Sequence, residues 1–232
     1  MAPSGPPDPV FETVRVEAGR VRLWDRHLLR LRRAGALPAQ LTAARALLAV
    51  HLGAATPIVA RIDVDADRPV ALRTRPVPDP GAWRLATVPG YDPDDAARER
   101  KLARREWIAA GERGAAAAGA DEPLFAATVD AEPGPDARIG ETARANLFLL
   151  DAAGRVATAP VAGLLPGVTR GWALEAAGAA ERALTLADAR AARAAFCTNA
   201  ARGIVPVAAI DGRPLARDPL VDELAAAWSR LP

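Results

Sequence analysis

Arg98-Glu99-Arg100-Lys101-Leu102-Ala103-Arg104-Arg105 is the segment from which the chain is best interpreted, because Lys101 is its only lysine. The chain has 30 Lys and Arg residues, and all the others are arginines. Either residue supplies a positive charge on a solvated surface, but only lysine offers an amine that can lose its proton and condense with a carbonyl. Lys101 therefore indicates a nucleophilic amine. The alternative is a lysine without chemical role on a solvated helix face.

Composition limits the class of protein. The chain has 232 residues, 50% of them hydrophobic, which is enough for one large or two small domains. A net charge of +2 comes from arginines interleaved with 28 acidic residues, so we predict no nucleic-acid partner. The single cysteine, Cys197, cannot form an internal disulfide and is expected in the core. No stretch suits a membrane span or a metal site, and residues 1–9 lack signal-peptide features, so we predict a cytoplasmic protein that binds neither membrane nor metal.

Periodicity predicts an α/β protein of two domains. A Pro-rich, disordered lead is expected at 1–9, a small α/β domain at 10–80 and a larger domain at 81–232, with the boundary in the proline cluster at 76–80. In the small domain, Arg61 lies on the wet face of a strand, and Asp25 is placed to cap a helix. The elements predicted there are a hairpin at 10–24, helices at 26–34 and 38–52, and strands at 58–64 and 70–74.

The larger domain is predicted to alternate strands and helices. A helix at 94–118 is expected to carry Lys101 near its start. The glycine-flanked loop at 163–170 leads into a helix at 172–180, and such a loop offers backbone N–H groups and the Thr169 hydroxyl to an anion. Strands are predicted at 83–88, 124–129, 146–150, 156–159, 195–198 and 204–210, and a final helix carries Leu220, Leu224 and Trp228.

Three features of the larger domain match the attachments of pyridoxal phosphate. The aldehyde requires a lysine, here Lys101; the pyridine nitrogen requires a carboxylate, here Glu141; and the phosphate requires amide donors, here at 167–169. Each feature alone has an ordinary explanation, since Glu141 could be a turn carboxylate and the loop an unremarkable helix start.

The chain resembles the fold-type IV (class IV) pyridoxal-phosphate enzymes, which include branched-chain aminotransferases, D-amino-acid aminotransferases and 4-amino-4-deoxychorismate lyases. The resemblance implies a smaller N-terminal α/β domain, a C-terminal domain with a barrel-like sheet, a cofactor between the domains and a homodimer. It lies in Phe11-Glu12-Thr13 with His27-Leu28-Leu29-Arg30-Leu31, in Lys101, in Glu141-Thr142-Ala143-Arg144-Ala145-Asn146-Leu147-Phe148, in Leu165-Pro166-Gly167-Val168-Thr169-Arg170, and in Thr198-Asn199-Ala200-Ala201-Arg202-Gly203-Ile204-Val205-Pro206-Val207.

The resemblance also implies roles for individual residues. Lys101 would carry the cofactor as a Schiff base and later transfer the proton, and Glu141 would pair with the pyridine nitrogen. Arg30 would bind the phosphate, and His27 would hold Arg30 or the backbone. The remaining cofactor contacts implied are the packing of Leu165 on the ring, the turn of Gly167, the Val168 and Thr169 amides with the Thr169 hydroxyl, and the segment Asn199-Ala200.

Three departures from the aminotransferase pattern bear on the reaction. Ala200 stands where aminotransferases commonly have a hydroxyl residue, and Asn199-Ala200 is more similar to the lyases. The usual tyrosine after the lysine is absent, and Trp107 stands nearby instead as a candidate substrate-binding residue without a hydroxyl. Only about ten residues precede Phe11, fewer than is usual in the family. For the substrate carboxylate, the candidates are Arg61, which aligns roughly with a strand arginine of some relatives, and Arg202; either could instead be a solvated charge.

The function predicted is a lyase similar to 4-amino-4-deoxychorismate lyase, which would act in folate biosynthesis and release pyruvate to leave 4-aminobenzoate. The first alternative is a class IV aminotransferase acting on branched-chain or D-amino acids. The second alternative is a non-catalytic homologue that retains the scaffold. A small-molecule amine is the expected substrate in both enzymatic cases.

Overall fold

The computed structural model describes residues 8–78, 81–127 and 133–231. Its contacts divide the chain into two compact units. The first comprises the described residues up to Pro78 together with Arg100–Arg104, and the second comprises the described residues from Gly81 to Glu99 and from Arg105 to Leu231. The predicted bounds 10–80 and 81–232 stay predictions. Residues 1–7 of the predicted lead, 79–80 at the predicted boundary and 128–129 of a predicted strand lie outside the described residues.

The first unit contains a four-stranded antiparallel sheet. The sheet order is β2-β1-β3-β4, with β1 at Val10–Glu17, β2 at Arg20–Val21, β3 at Ile58–Val64 and β4 at Ala71–Pro76. Successive strand side chains point to opposite faces, so Val14 of β1 and its partner Ala60 of β3 are fully buried while Arg61 lies on the other face. The predicted hairpin and the wet-face position of Arg61 are confirmed.

Two helices bury their apolar sides in the first unit. Helix α1 (Trp24–Arg33) buries Leu28 and Leu31, and helix α2 (Pro38–Ala49) begins at Pro38, as predicted. The prediction that Asp25 caps α1 is wrong, because the helix begins at Trp24, two residues before the predicted start. Asp25 therefore lies in its first turn. Its charge there still favours the positive end of the helix.

Six strands of the second unit close into a barrel. The strands described in this unit are β5 (Trp83–Pro89), β6 (Glu122–Ala126), β7 (Arg138–Thr142), β8 (Asn146–Leu150), β9 (Val156–Thr158), β10 (Ala180–Glu181), β11 (Leu184–Thr185), β12 (Ala194–Asn199), β13 (Gly203–Ile210) and β14 (Arg213–Pro214). Around the ring the order is β5-β6-β7-β8-β12-β13, and β5 runs parallel to both of its neighbours. The barrel-like sheet implied by the resemblance is confirmed.

Side chains fill the barrel, and helices pack outside its strands. Leu124, Leu147, Val205 and Cys197 belong to one buried apolar cluster, and burial raises the pKa of the Cys197 thiol well above its usual value. The expectation of a core cysteine is therefore confirmed. The helices are α3 (Glu106–Ala117), α4 (Val168–Ala176), α5 (Leu186–Ala191) and α6 (Pro219–Arg230). No helix within the described ranges has the length and apolar character needed to cross a lipid bilayer.

The predicted helix at 94–118 is wrong around Lys101. A short 3-10 turn covers Ala96–Glu99 and α3 begins only at Glu106, so Lys101 lies between them in extended chain. The reason is a backbone interaction that spans the sequence: Phe11 N donates to Lys101 O at 2.9 Å, and Ala103 N donates to Pro9 O at 2.8 Å. These two hydrogen bonds hold 101–103 beside the start of β1 and override the helical propensity of the segment.

Candidate active site

Helix α4 of the second unit begins with a turn suited to an anion. Gly167 is the N-cap residue, with φ −63° and ψ 133°, and has no side chain with which to cap the helix. The amides of Val168 and Thr169 lie in the first turn, where N–H groups lack acceptors within the helix and carry the positive end of its dipole. Thr169 Oγ1 is buried and has no hydrogen-bond partner among the residues described. The helix begins at Val168, four residues before the predicted start, which places both residues inside its first turn.

The Glu141 carboxylate is held beside the segment that leads into α4. Glu141 Oε1 accepts a hydrogen bond from Leu165 N at 3.2 Å, and Oε2 accepts one from Asn146 Nδ2 at 3.0 Å. Asn146 Nδ2 also donates to Leu165 O at 3.0 Å. A Cβ at position 167 would overlap Asn146 Oδ1, so the close approach requires Gly167. The structure thus brings Glu141, Leu165 and Gly167 together.

Arg30 lies in a buried ionic cluster of the first unit. Its Nε donates to Glu12 Oε2 at 2.9 Å and its Nη2 donates to Glu12 Oε1 at 2.5 Å. His27 Nδ1 lies 3.3 Å from Glu12 Oε1, and burial lowers the pKa of His27. Burial alone would raise the pKa of Glu12, but Arg30 and His27 outweigh it and hold that pKa well below its usual range. A bidentate pair fixes the guanidinium plane of Arg30. Its role as a phosphate ligand stays a prediction.

Lys101 and Arg61 contact the same aromatic ring in the first unit. Lys101 Nζ lies 5.0 Å from the centroid of the Phe11 ring, and Arg61 Cζ lies 3.6 Å from it. Cations at these distances are attracted by the ring quadrupole. Arg61 Nε also donates to Asp63 Oδ1 at 2.8 Å. The two cations predicted to act on the substrate are therefore neighbours through Phe11.

The remaining predicted residues lie in the second unit. Arg202 Cζ lies 5.2 Å from the centroid of the Trp83 ring, and Arg98 Cζ lies 4.8 Å from that of Trp107. Asn199 Oδ1 accepts hydrogen bonds from Ala201 N at 3.1 Å and from Arg202 N at 2.8 Å. Ala200, which follows Asn199 in the sequence, contributes no polar side-chain atom. The roles of Asn199, Ala200, Arg202 and Trp107 stay predictions.

Sequence reasoning assigned no role to Glu12 or Asn146. Both lie in segments that carry the family resemblance. The structure places each at the centre of a hydrogen-bonded cluster. A signal for Glu12 was present: it is an acidic residue at a core-facing position of an alternating strand, where a charge requires a partner. No comparable signal existed for Asn146, because its partners are 5 and 19 residues away along the chain.

A family profile described as amino-transferase class IV matches residues 9–210. That span includes both clusters and most of the 232-residue chain. The chain belongs to the aminotransferase class IV family. A comparison with curated proteins found no significant match.

Solved structures of the class IV fold superpose on this chain. A candidate 4-amino-4-deoxychorismate lyase from Legionella pneumophila has a TM-score of 0.81 at 24% identity, over 99% of this chain and 96% of that one. A branched-chain aminotransferase from Thermoproteus uzoniensis gives 0.81 at 22%, over 96% and 84%. A hypothetical aminotransferase from Mycobacterium tuberculosis, solved with pyridoxal phosphate bound, gives 0.80 at 23%, over 97% and 93%. At these identities the likeness establishes the fold.

Class IV enzymes depend on pyridoxal phosphate, and the residues of this chain fit that cofactor. The Thr169 hydroxyl, which has no partner within the described part of the chain, and the first-turn amides of α4 are suited to a phosphate group. The Glu141 carboxylate, whose two oxygens are each held by a neutral donor, is suited to a protonated pyridine nitrogen. This class IV protein is a pyridoxal-phosphate-dependent enzyme that acts on small-molecule amines.

Proposed function

We propose that this class IV enzyme is a lyase that converts 4-amino-4-deoxychorismate to 4-aminobenzoate and pyruvate. The reaction removes the hydrogen from the ring carbon that bears the amine and breaks the ether bond to the enolpyruvyl group. That group leaves, gains a proton and becomes pyruvate, and the ring becomes aromatic. The atoms balance without water or a second substrate. Pyridoxal phosphate supplies an electron sink for the charge that develops at the carbon.

The chain's own residues would divide the work as follows. The Lys101 amine would hold the cofactor and then take the proton from the amine-bearing carbon. The Glu141 carboxylate would keep a proton on the pyridine nitrogen, which stabilises charge where it develops. The first-turn amides of α4 and the Thr169 hydroxyl would hold the phosphate. Arg30, oriented by Glu12, would add a guanidinium to the phosphate.

The observation that carries the choice of lyase is the side-chain chemistry at Asn199-Ala200. The aminotransferases that the chain resembles commonly have a hydroxyl at the position of Ala200. Here Asn199 Oδ1 is committed to the amides of Ala201 and Arg202, and Ala200 has nothing to donate. The only tyrosine, Tyr91, is committed as well, since its hydroxyl donates to Ala162 O at 3.1 Å. These residues favour the lyase pattern over the aminotransferase pattern.

The surroundings of Lys101 support Arg61 as the arginine for a substrate carboxylate. Arg61 and Lys101 contact the Phe11 ring, whereas Arg202 stacks on Trp83. Asp63 binds the Nε edge of Arg61, so the pair fixes the direction of the guanidinium. A planar guanidinium held in this way suits two carboxylate oxygens.

An aminotransferase acting on branched-chain or D-amino acids is the second candidate. The chain superposes on the Thermoproteus branched-chain aminotransferase with the same TM-score as on the Legionella protein, so the fold is equally compatible with this reaction. The two reactions differ in their need for a keto acid. An aminotransferase requires one to complete its cycle, whereas the lyase releases pyruvate from a single substrate.

Paired assays on purified, cofactor-loaded protein distinguish the candidates. We expect 4-amino-4-deoxychorismate alone to give equal amounts of pyruvate and 4-aminobenzoate over many turnovers. Branched-chain and D-amino acids with 2-oxoglutarate should give at most about a hundredth of that rate, a difference of about 2.7 kcal/mol in transition-state stabilisation. Amino-group transfer without pyruvate release would refute the lyase and support the aminotransferase. Absence of both activities and of a borohydride-reducible cofactor band would leave the non-catalytic scaffold.

The cellular setting follows from the same proposal. A lyase making 4-aminobenzoate would serve folate biosynthesis in the cytoplasm, and we propose a homodimer, as the resemblance implies. Size-exclusion chromatography with light scattering measures the molar mass of the protein in solution. A mass equal to that of one 24.2 kDa chain would refute the dimer.

A further inference from the structure

We propose that Asn146 is a positioning residue that orients the Glu141 carboxylate and ties it to the turn before α4. The inference rests on the role proposed for Glu141 and deepens it. Asn146 is 3% exposed at the start of β8, directly opposite Glu141 in the strand register. It would act on the cofactor only through Glu141, since its side-chain amide is committed to protein atoms.

Both N–H bonds of the Asn146 amide are used. Nδ2 lies 3.0 Å from Glu141 Oε2 and 3.0 Å from Leu165 O, two acceptors with no proton to give when the carboxylate is ionised. The opposite orientation of the amide would face its oxygen towards two oxygens, so the hydrogen bonds determine which atom is nitrogen. The direction of the Asn146 side chain is therefore fixed.

The interactions form a closed ring. Asn146 joins Glu141 Oε2 to Leu165 O, and Leu165 N returns to Glu141 Oε1 at 3.2 Å. Both carboxylate oxygens thus accept a hydrogen bond from a neutral donor, which restricts rotation about the last bond of the side chain. A carboxylate oxygen can accept more than one hydrogen bond, so these two contacts are compatible with a bond from the pyridine nitrogen.

The same side chain sets the position of the phosphate turn. Asn146 Oδ1 occupies the space where a Cβ at position 167 would lie, and Gly167 immediately precedes α4. One amide therefore contacts the carboxylate predicted for the ring and the residue that begins the turn predicted for the phosphate. The distance between these two features is set by Asn146.

The test measures the proton on the cofactor's ring nitrogen rather than activity. Holoenzyme would be loaded with pyridoxal phosphate labelled with ¹⁵N in the ring, and the nitrogen would be titrated by NMR. The variants are Asn146→Leu, Glu141→Gln and the double variant. Asn146→Ser replaces Asn146→Leu throughout if the leucine variant does not fold.

We expect Asn146→Leu to lower the protonation constant of the ring nitrogen by about tenfold or more, which moves its titration by about one pH unit or more. Glu141→Gln should lower it further. In the Glu141→Gln background, the Asn146 substitution should change the constant by less than about twofold, because a residue acting through Glu141 has nothing left to position. Thr158→Val is the matched control: it deletes a buried hydrogen bond from Thr158 Oγ1 to Leu147 O at 2.7 Å on the same sheet and should not move the titration.

Three outcomes would overturn the inference: an unchanged titration in Asn146→Leu, an equal shift in both backgrounds, or a shift of the same size in Thr158→Val. Loss of cofactor from Asn146→Leu under conditions in which Glu141→Gln retains it would also overturn it. The result is independent of the pyruvate assay. A failed lyase reaction with the expected titrations would refute the lyase and leave the role of Asn146 standing.

Discussion

At the scale of single residues, the proposed chemistry depends on side chains that neighbours hold in one direction. Arg30 is held by Glu12, Arg61 by Asp63, and Glu141 by Asn146 and the Leu165 amide. Each holding group is polar and close in space, and Glu12 and Asn146 are also nearly inaccessible to solvent. Buried polar groups of this kind are retained only where they are satisfied. Contacts within the protein therefore fix the directions of these three side chains.

Lys101→Arg tests the amine at the residue scale. The variant should fold normally, because arginine keeps the positive charge near the Phe11 ring and the backbone pairing with Phe11 is unchanged. It should lose activity by at least about 1000-fold and lose the borohydride-reducible absorption band, because a guanidinium neither condenses with an aldehyde nor accepts a proton at working pH. Pyruvate release and absorption spectra measure both effects.

The matched control is Arg104→Lys, which places a second lysine at an exposed position three residues away. Near-normal activity is expected from it. Turnover of Lys101→Arg at wild-type rates would remove the proposed mechanism.

At the scale of elements, close approaches depend on glycines. Helix α3 packs against β6, and a Cβ at position 111 would lie 2.6 Å from Phe125 Cζ. Phe125 is 2% exposed and belongs to the core of the barrel, so it has little room to move. Gly111 therefore permits α3 to lie as close to β6 as it does.

Gly111→Ala is expected to destabilise the protein. Overpacking costs about 1–3 kcal/mol, and the better helix propensity of alanine returns about 1 kcal/mol, which leaves a net loss of about 1 kcal/mol. Gly114→Ala is the control on the same helix, because its Cβ would lie 3.1 Å from Val88 Cγ1 and position 114 is exposed. Urea unfolding of both variants measures the difference. A Gly111→Ala protein at least as stable as Gly114→Ala would contradict the expected overpacking.

At the scale of the whole molecule, stability is coupled to pH through a buried acid of the second unit. Glu122 is 1% exposed, and burial raises its pKa to about 7, although Arg144 Nε lies 2.6 Å from Oε1. Its Oε2 is buried without a hydrogen-bond partner in the described ranges. Above this pKa the folded protein must hold a charge in a position that excludes water.

The sign of the effect follows from proton binding. Because the folded pKa lies above the unfolded value of 4.5, the folded state binds more protons between those values, and stability falls as pH rises. The contribution of Glu122 is fully present below about pH 4.5 and lost through about pH 7, with a slope of at most about 1.4 kcal/mol per pH unit. Wild type should therefore lose stability relative to Glu122→Gln between pH 5 and 8 in urea unfolding.

Glu112→Gln provides the control for this titration. Glu112 also lies near Arg144, at 3.8 Å, but its side chain is 44% exposed. Comparison of Glu122→Gln with Glu112→Gln therefore separates the effect of the buried carboxylate from that of removing an acid near Arg144. If the stability of wild type relative to Glu122→Gln stayed constant or rose with pH, Arg144 would compensate for the burial of Glu122.

Much of the fold was predictable because local patterns determine it. The hairpin at the end of β1, the alternation of β3, and the start of α2 at Pro38 depend on neighbouring residues, and all are found. Strand β7, which carries Glu141, was not predicted, because its five residues include a glycine and three polar side chains and lack an alternating pattern.

The sequence by itself determined which groups are present for the proposed chemistry: a single lysine, Lys101, an acidic residue, Glu141, and a glycine turn at Gly167 before a helix. Tertiary structure decided where these groups lie and what holds them. Lys101 lies outside a helix because its carbonyl accepts a hydrogen bond from Phe11 N, in a strand 90 residues earlier in the chain. The Glu141 side chain is oriented by hydrogen bonds from Asn146, five residues away, and from Leu165, 24 residues away. Hydrogen bonds between distant residues leave no periodic trace in the sequence, since they form only after hydrophobic burial has brought the elements together.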